Sequence, residues 1–145
     1  EAYAWHHRLL ASNGHDYDPR VLVRIRKGEQ QSAADYIELC AARVDFIRRV
    51  ESICEPFDAL VLPTVPLVAP TIAELEDDQN YGRVNLLMLR NPTVVNFLDG
   101  CAISIPCHAP GDAPVGLMIA GRRGTDQRLM AIARAVEQLL SSRRT

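Results

Sequence analysis

The clearest pattern along the chain is a run of apolar residues, spaced three or four apart, between Ser32 and Glu55. On a helix with 3.6 residues per turn, this spacing gathers the apolar residues into one stripe, and most charged residues fall on other faces. The pattern therefore predicts a long amphipathic helix with a buried stripe, in which Cys40 and Cys54 are core residues. The stripe consists of Ala33, Ile37, Cys40, Val44, Ile47, Val50 and Cys54.

Two shorter helices are predicted before this one. Residues Glu1–Ala11 form a helical pattern that stops at a Ser-Asn-Gly sequence, which favours a break. A second helix is predicted for Pro19–Lys27, because Asp18 is a suitable N-cap and proline is favoured in the first helical position. Gly28 is expected to end that helix.

Three short apolar segments have the character of strands. The run Asp58–Leu62 is apolar without alternation, which predicts a fully buried strand. An extended loop should follow over Pro63–Pro70, since each proline fixes φ. Ala102–Pro106 and Val115–Ala120 are the other two predicted strands. Their eight-residue connection allows a hairpin but does not require one.

The rest of the chain is predicted to be loop and helix. Residues Glu74–Tyr81 are acidic and polar, which indicates an exposed loop, and short helical turns are expected at Val84–Arg90 and Thr93–Leu98. Thr125 should cap a final helix. The apolar stripe of that helix consists of Leu129, Ile132, Ala133, Val136 and Leu140.

These elements predict an α/β protein in which part of a mixed β-sheet is covered by helices. No internal boundary is visible, so residues 1–145 are treated as one domain. Three strands leave sheet edges unpaired, and the long amphipathic helix needs a partner surface. We therefore expect a portion of a larger domain that packs against the remainder of that domain, with a homo-oligomer as a further possibility.

Composition and charge exclude several classes of protein. Hydrophobic residues make up 48% of the chain and charged residues 23%, as is typical of folded globular proteins. The formal charge of −2 and the absence of a basic stripe argue against nucleic-acid binding. The longest apolar stretch, Ala59–Ala73, contains three prolines and is too short to span a membrane. We expect a soluble, cytoplasmic protein.

No metal or cofactor site is expected. The four cysteines show no paired spacing, and neither a CxxC nor an HxxxH motif occurs. His6 and His7 are adjacent, so on a helix their side chains point about 100° apart and do not readily share one ion. Reduced thiols are the expected state of the cysteines in a chain with enough apolar residues to form a core.

Three longer segments carry a family resemblance. They are FDALVLPTVPLVAP from Phe57 to Pro70, NFLDGCAISIPC from Asn96 to Cys107, and PVGLMIAG from Pro114 to Gly121. Their order and spacing resemble the C-terminal region of amidase-signature hydrolases, and the sequence RIRKG at Arg24–Gly28 agrees with the same region. The resemblance covers roughly residues 17–140 and includes the A subunits of amidotransferases, as well as amidases of the carboxybiuret or allophanate kind.

The resemblance implies hydrolysis of a small-molecule carboxylic amide by a Ser–cis-Ser–Lys triad. In the family this triad lies upstream of the matching region. Lys27 is the only lysine of this chain, and the only adjacent serines, Ser141 and Ser142, lack the surrounding glycines. The resemblance therefore implies that this chain contributes core and a cleft wall but no catalytic residue, and is inactive alone. The alternative is a non-catalytic binding or scaffold module derived from the same fold.

Two departures from the family pattern alter possible site residues. Gly100-Cys-Ala102 replaces Gly-x-Pro-Ala, and Cys107-His108 replaces Cys-Gly. A thiol–imidazole pair is disfavoured here because sequence neighbours at a strand end usually point apart, so packing is the preferred interpretation. Asp58 is expected to begin a strand rather than to act as an acid or base. Asn96 is expected to bond backbone in the loop before the next strand.

Arg90 is the one candidate substrate-binding residue. In amidotransferase A subunits, the position six residues before the asparagine that corresponds to Asn96 resembles an aspartate that binds an ammonium group of the substrate. An arginine there would repel an α-amino group and attract a carboxylate. The alternative is a surface arginine that caps a short helix.

Overall fold

The computed structural model describes residues 1–142 of the chain. This part forms two compact units, one over Glu1–Ala42 and the other from Arg43 onward, and each is described by itself. The predicted α/β class is confirmed, with five α-helices and three strands in the described residues. Among the helices of this part, none combines the length and the apolar character needed to cross a membrane.

The first unit contains the two predicted N-terminal helices, α1 (Ala2–Asn13) and α2 (Pro19–Arg26). The predicted cap of α2 is confirmed, since the carboxylate of Asp18 accepts hydrogen bonds from the backbone N–H groups of the next turn, at 2.8 and 3.3 Å. Instead of stopping at Gly28, the chain continues as a 3₁₀ turn over Lys27–Gln30. A Cβ at Gly28 would lie 2.8 Å from Cβ of Tyr3, so only glycine fits there without a shift.

The long helix α3 covers Ala33–Cys54, close to its predicted bounds. Its predicted stripe is not buried in the first half, where Ile37 is 68% exposed and Cys40 is exposed as well. Cys40 is therefore not a core residue, and Cys54 is half-buried. The spacing of apolar residues indicates that a helix is amphipathic, but it does not indicate which part of the helix is covered by another element.

The second half of α3 contacts the rest of the second unit. The rings of Phe46 and Phe97 pack with centroids 5.6 Å apart. Nearby, Nε of Arg43 donates a hydrogen bond of 2.8 Å to the backbone carbonyl of Phe97. Accordingly, the half-buried positions of the predicted stripe begin at Ile47 and continue to Cys54.

The sheet of the second unit has three strands, β1 (Leu60–Pro63), β2 (Cys101–Pro106) and β3 (Gly116–Gly121). Their order is β1-β3-β2, and both pairings are antiparallel. The hairpin that the sequence allowed is formed by β2 and β3. Because β3 is central, β1 and β2 run in the same direction.

Two helices cover opposite faces of this sheet, α4 (Asp78–Phe97) and α5 (Asp126–Ser142). The α5 stripe predicted from the sequence is confirmed: Leu129 and Ala133 are buried, and its other three members pack around them. Successive side chains of a strand point to opposite faces of the sheet, so the apolar side chains of the strands are divided between the α4 face and the α5 face. On the α5 face, Ile105 and Ile119 are buried; on the α4 face, Val95, Met118 and Ala120 form a second cluster.

The first strand lies where the sequence predicted it, but the prediction that it is fully buried is wrong. Leu60 is 43% exposed and Val61 is 55% exposed. Within the described sheet, β1 is an edge strand with β3 as its only neighbour. Continuous apolar character indicates a strand that can be covered on both faces, but it does not establish that the cover is present.

Helix α4 corrects two expectations. It is one helix of 20 residues where an acidic loop and two short turns were predicted. The carboxylate of Asp77 accepts a hydrogen bond from the backbone N–H of Asn80 at 2.7 Å, so the predicted loop ends at Asp77. Pro92 lies inside this helix, where a proline removes one helical hydrogen bond. Burial of Val84 and Val95, one on each side of Pro92, favours a continuous helix over that local cost.

Candidate functional site

Residues from the three family-like segments meet at one end of the sheet. Because β1 and β2 run in the same direction, their carboxyl ends lie at the same end of the sheet. Thr64 follows β1, Cys107 and His108 follow β2, and β3 begins there with Gly116. We call this end of the sheet the motif end. It includes the residues just named and Ser104 of β2.

A pair of hydroxyl groups joins two of the segments at the motif end. Oγ1 of Thr64 and Oγ of Ser104 lie 2.5 Å apart, a hydrogen bond in which either can be the donor. The backbone N–H of Thr64 also donates to the carbonyl of Gly116 at 2.8 Å. A Cβ at Gly116 would lie closer than 3.0 Å to both hydroxyl oxygens. The missing side chain at this position therefore makes room for the pair.

Helix α4 is attached to the same end through Asn91. Its Nδ2 donates a hydrogen bond of 2.7 Å to the carbonyl of Pro63, the last residue of β1. Its Oδ1 accepts from Nε of Arg90 at 3.3 Å. Arg90 is exposed, and α4 continues to Phe97, so this arginine lies within a helix rather than at its end. One asparagine thus links the candidate residue to the carboxyl end of β1.

Cys107 and His108 both bond to one backbone position rather than to each other. Sγ of Cys107 contacts the carbonyl of Val115 at 3.5 Å, and Nδ1 of His108 accepts from the N–H of Val115 at 3.3 Å. These bonds close the loop between β2 and β3. Such an arrangement supports the packing interpretation over a thiol–imidazole pair.

Asp58 and Asn96 lie in places other than those expected. Asp58 precedes β1 by two residues, and its carboxylate pairs with the guanidinium group of Arg128 on α5. Asn96 belongs to the last turn of α4 rather than to a loop, because the helix extends to Phe97. Its backbone carbonyl accepts from Nη2 of Arg43 at 3.5 Å. Asn96 is therefore a helix-end residue, and Asp58 contributes an exposed ion pair.

The lysine and the adjacent serines that the family triad suggested belong to other elements than the strands of the motif end. Lys27 is in the 3₁₀ turn of the first unit, and Ser141 and Ser142 are in the last turn of α5. Oγ of Ser142 donates to the carbonyl of Leu139 at 2.9 Å. Over residues 1–142, no three His, Cys, Asp or Glu side chains are grouped so that they could share a metal ion.

Sequence reasoning missed Asn91 and the Thr64–Ser104 pair. Thr64 and Ser104 both belong to the family-like segments, but nothing in one sequence indicates that their strands share a neighbour. With that topology known, the period of two places both hydroxyls on the α4 face. No feature of the sequence indicated a role for Asn91. Its role depends on one hydrogen bond to the carbonyl of Pro63, which lies 28 positions earlier in the chain.

Comparison with known proteins agrees with this assignment of segments. The family model named Amidase matches residues 4–130. The chain is 30% identical to 2-amino-5-chloromuconic acid deaminase of Comamonas testosteroni over 124 residues, which are 85% of this chain and 27% of that protein. It is 29% identical to the A subunit of glutamyl-tRNA(Gln) amidotransferase from Sulfurisphaera tokodaii over 143 residues, which are 94% of this chain and 29% of that protein.

A solved structure gives the same result at the level of the fold. Kluyveromyces lactis allophanate hydrolase superimposes with a TM-score of 0.72 and 27% identity, over 88% of this chain and 21% of that one. The fold and the convergence of the three segments define an amidase-type α/β structure. The chain belongs to the Amidase family. It spans less than a third of the length of each of these three relatives.

Proposed function

We propose that this chain forms part of the core and one wall of the substrate cleft in an enzyme that hydrolyses a carboxylic amide to an acid and ammonia. The observation that carries the proposal is the convergence of the family-like segments at the motif end, where Thr64 bonds to Ser104. Membership of the Amidase family supports amide hydrolysis in general. The remainder of the amidase domain is the required partner, and the substrate is a small-molecule amide.

In this proposal the nucleophile and base come from residues outside this chain. A serine attacks the amide carbon, a lysine accepts the proton through a bridging serine, and backbone N–H groups stabilise the oxyanion. Ammonia leaves, and water then releases the acid from the acyl-serine. Lys27 is the only lysine of this chain and Ser141–Ser142 is its only pair of adjacent serines, and neither belongs to the three family-like segments.

Arg90 is proposed to recognise an anionic group on the substrate. Its guanidinium group is exposed and is attached through Asn91 to the end of β1. A guanidinium group binds a carboxylate through two parallel hydrogen bonds, which a lysine cannot reproduce. Hydrogen bonds between charged groups contribute about 1.5–3 kcal/mol, which corresponds to roughly 10- to 100-fold in kcat/KM.

The test compares an amide that carries a carboxylate with a neutral amide of similar size in the full-length enzyme. Arg90→Ala should lower kcat/KM for the anionic amide by roughly 10- to 100-fold and should change the neutral amide far less. Arg90→Lys should recover only part of the loss. The matched control is Arg83→Ala, which removes an exposed arginine from the first turns of the same helix.

Three results would contradict this role. Equal losses for both substrates would mean that Arg90 acts through folding. No loss for either would place it on a surface that the substrate does not reach. A full-length enzyme that prefers glutamine would also exclude it, because the α-amino group of glutamine would be repelled by the arginine.

A further inference from the structure

Asn91 joins helix α4 to the end of β1 and at the same time holds the side chain of Arg90. Its Nδ2 donates to the backbone carbonyl of Pro63 at 2.7 Å, and its Oδ1 accepts from Nε of Arg90 at 3.3 Å. A carbonyl oxygen can only accept a hydrogen bond, and a guanidinium group can only donate one. Both partners therefore require the same orientation of the amide, because the opposite orientation would place oxygen against oxygen and N–H against N–H.

The bond to Asn91 limits how Arg90 can bind an anion. A guanidinium group binds a carboxylate through two parallel hydrogen bonds, either from Nε and one terminal nitrogen or from the two terminal nitrogens. Among the residues that the structure describes, Asn91 is the one hydrogen-bond partner of Arg90, and it occupies Nε. Nη1 and Nη2 are therefore the pair of donors that is left for a carboxylate.

The same bond reduces the entropic cost of binding. A long exposed arginine side chain has many rotamers, and a ligand that fixes them loses affinity. Arg90 is exposed, whereas Asn91 is half-buried and is bonded to the last residue of a strand. The guanidinium group is thus attached to the sheet before a ligand arrives, which is the arrangement that favours a preformed site.

We propose that Asn91 is a positioning residue, which holds the guanidinium group of Arg90 so that Nη1 and Nη2 receive the carboxylate of an anionic amide. This role rests on the proposed function, because Asn91 can act only if Arg90 contacts the substrate. Asn91 itself touches no substrate atom. Its effect on the reaction is therefore expected to disappear when Arg90 is absent.

The first experiment tests the bond itself, without any substrate. Heteronuclear NMR of the 145-residue chain measures how fast the Nε–H of Arg90 exchanges with water, and Arg90→Lys identifies its signal. Asn91→Ala should speed this exchange by roughly 2- to 10-fold, which corresponds to the net contribution of one hydrogen bond. The matched control is Asn85→Ala, which removes an amide from the same helix that is not bonded to Arg90 and should leave the exchange unchanged.

A comparison within the unchanged chain covers the case in which Asn91→Ala does not fold. Arg134 is exposed on α5 and has no hydrogen-bond partner in the described part of the chain. The Nε–H of Arg90 should exchange roughly 2- to 10-fold more slowly than that of Arg134. Equal exchange at the two arginines would overturn the proposal.

The second experiment is kinetic and uses the full-length enzyme with the anionic and the neutral amide. Asn91→Ala should lower kcat/KM for the anionic amide by about 3- to 10-fold, less than Arg90→Ala does, and should change the neutral amide far less. The double variant Arg90→Ala/Asn91→Ala should be no worse than Arg90→Ala alone, because residues that act through one contact are not additive. Asn85→Ala should leave both substrates unchanged.

The outcomes separate this role from the proposed function. A loss with Arg90→Ala but none with Asn91→Ala would overturn the positioning role and leave the recognition of the anion by Arg90 intact. Equal losses for both amides in Asn91→Ala, additive with those of Arg90→Ala, would mean that Asn91 only ties α4 to β1. An enzyme that hydrolyses no amide would contradict the proposed function, and no loss with Arg90→Ala would contradict its role for Arg90; either result would overturn the positioning role as well.

Discussion

At the scale of single residues, the hydroxyl pair of the motif end depends on the absence of a Cβ atom at Gly116. Gly116→Ala would place a methyl group closer than 3.0 Å to the hydroxyl oxygens of Thr64 and Ser104, which are already 2.5 Å apart. We expect a loss of about 1–3 kcal/mol in the free energy of unfolding, the usual cost of overpacking. Denaturant unfolding of the two proteins measures this difference.

Gly82 supplies the matched control for that substitution. It lies within α4, and a Cβ there would meet no atom within 4 Å. Gly82→Ala should therefore stabilise the protein by about 0.5–1 kcal/mol, because alanine loses less backbone entropy in a helix. If Gly116→Ala were neutral or stabilising as well, the close packing of the hydroxyl pair would be wrong.

Sequence reasoning at this scale succeeded for local interactions and failed for long-range ones. The cap that Asp18 forms follows from residue type and position alone, and it is confirmed. Cys40 was assigned to the core and is exposed, because its burial depends on a partner element that periodicity does not reveal. Asn91 acts through a carbonyl far away in the chain, so its role could not be found without the fold. The role of Arg90 stays a prediction.

At the scale of elements, α3 begins with a reciprocal hydrogen-bonded cap. Backbone N–H and Oγ of Ser32 both donate to Oδ2 of Asp35 at 2.8 Å, and the N–H of Asp35 donates to Oγ of Ser32 at 3.1 Å. The two bonds from Ser32 lower the pKa of the Asp35 carboxyl below its ordinary value of 3.8. The ionised form is therefore the one that the helix start favours.

This cap predicts a pH dependence with a defined sign. Because the folded pKa is depressed, the contribution of Asp35 is present above its ordinary pKa and is lost as the pH falls through the lower, folded value. A carbon-detected NMR titration should give a midpoint below 3.8 for this carboxyl. Ser32→Ala should move the midpoint up only part of the way, since the hydroxyl donor is gone but the backbone N–H of residue 32, the larger cause of the shift, remains. An unshifted midpoint in the unchanged chain would contradict the cap.

The two long helices differ in how well their patterns predicted them. The bounds of α3 were nearly right, because its apolar residues recur at helical spacing without a breaker. The sequence divided α4 into a loop and two turns, since Pro92 and polar residues interrupt its pattern. Burial of Val84 and Val95 outweighs those local signals. Tertiary contacts of this kind are absent from a one-dimensional pattern.

At the scale of the whole molecule, the sheet of the second unit has two chemically different ends. Hydroxyl groups, an asparagine amide and the candidate arginine gather at the motif end. The other end has a pocket lined by apolar side chains together with two acidic and two basic residues. The α/β class could be predicted from strand and helix patterns, and the family could be identified from three segments, whereas the hairpin was allowed by the sequence but not required by it. The pairing of β1 with β3 could not be predicted, because it joins strands that are separated by α4 and β2.

The measurement that tests the central claim most directly is ammonia release from carboxylic amides by the purified 145-residue chain. If this chain supplies a cleft wall and not the nucleophile, its rate should equal that of buffer, since binding groups alone do not replace a nucleophile and its base. Saturable hydrolysis that survives repeated purification would contradict the account. Loss of that activity in Cys107→Ala would then identify the thiol as the nucleophile in place of an external serine.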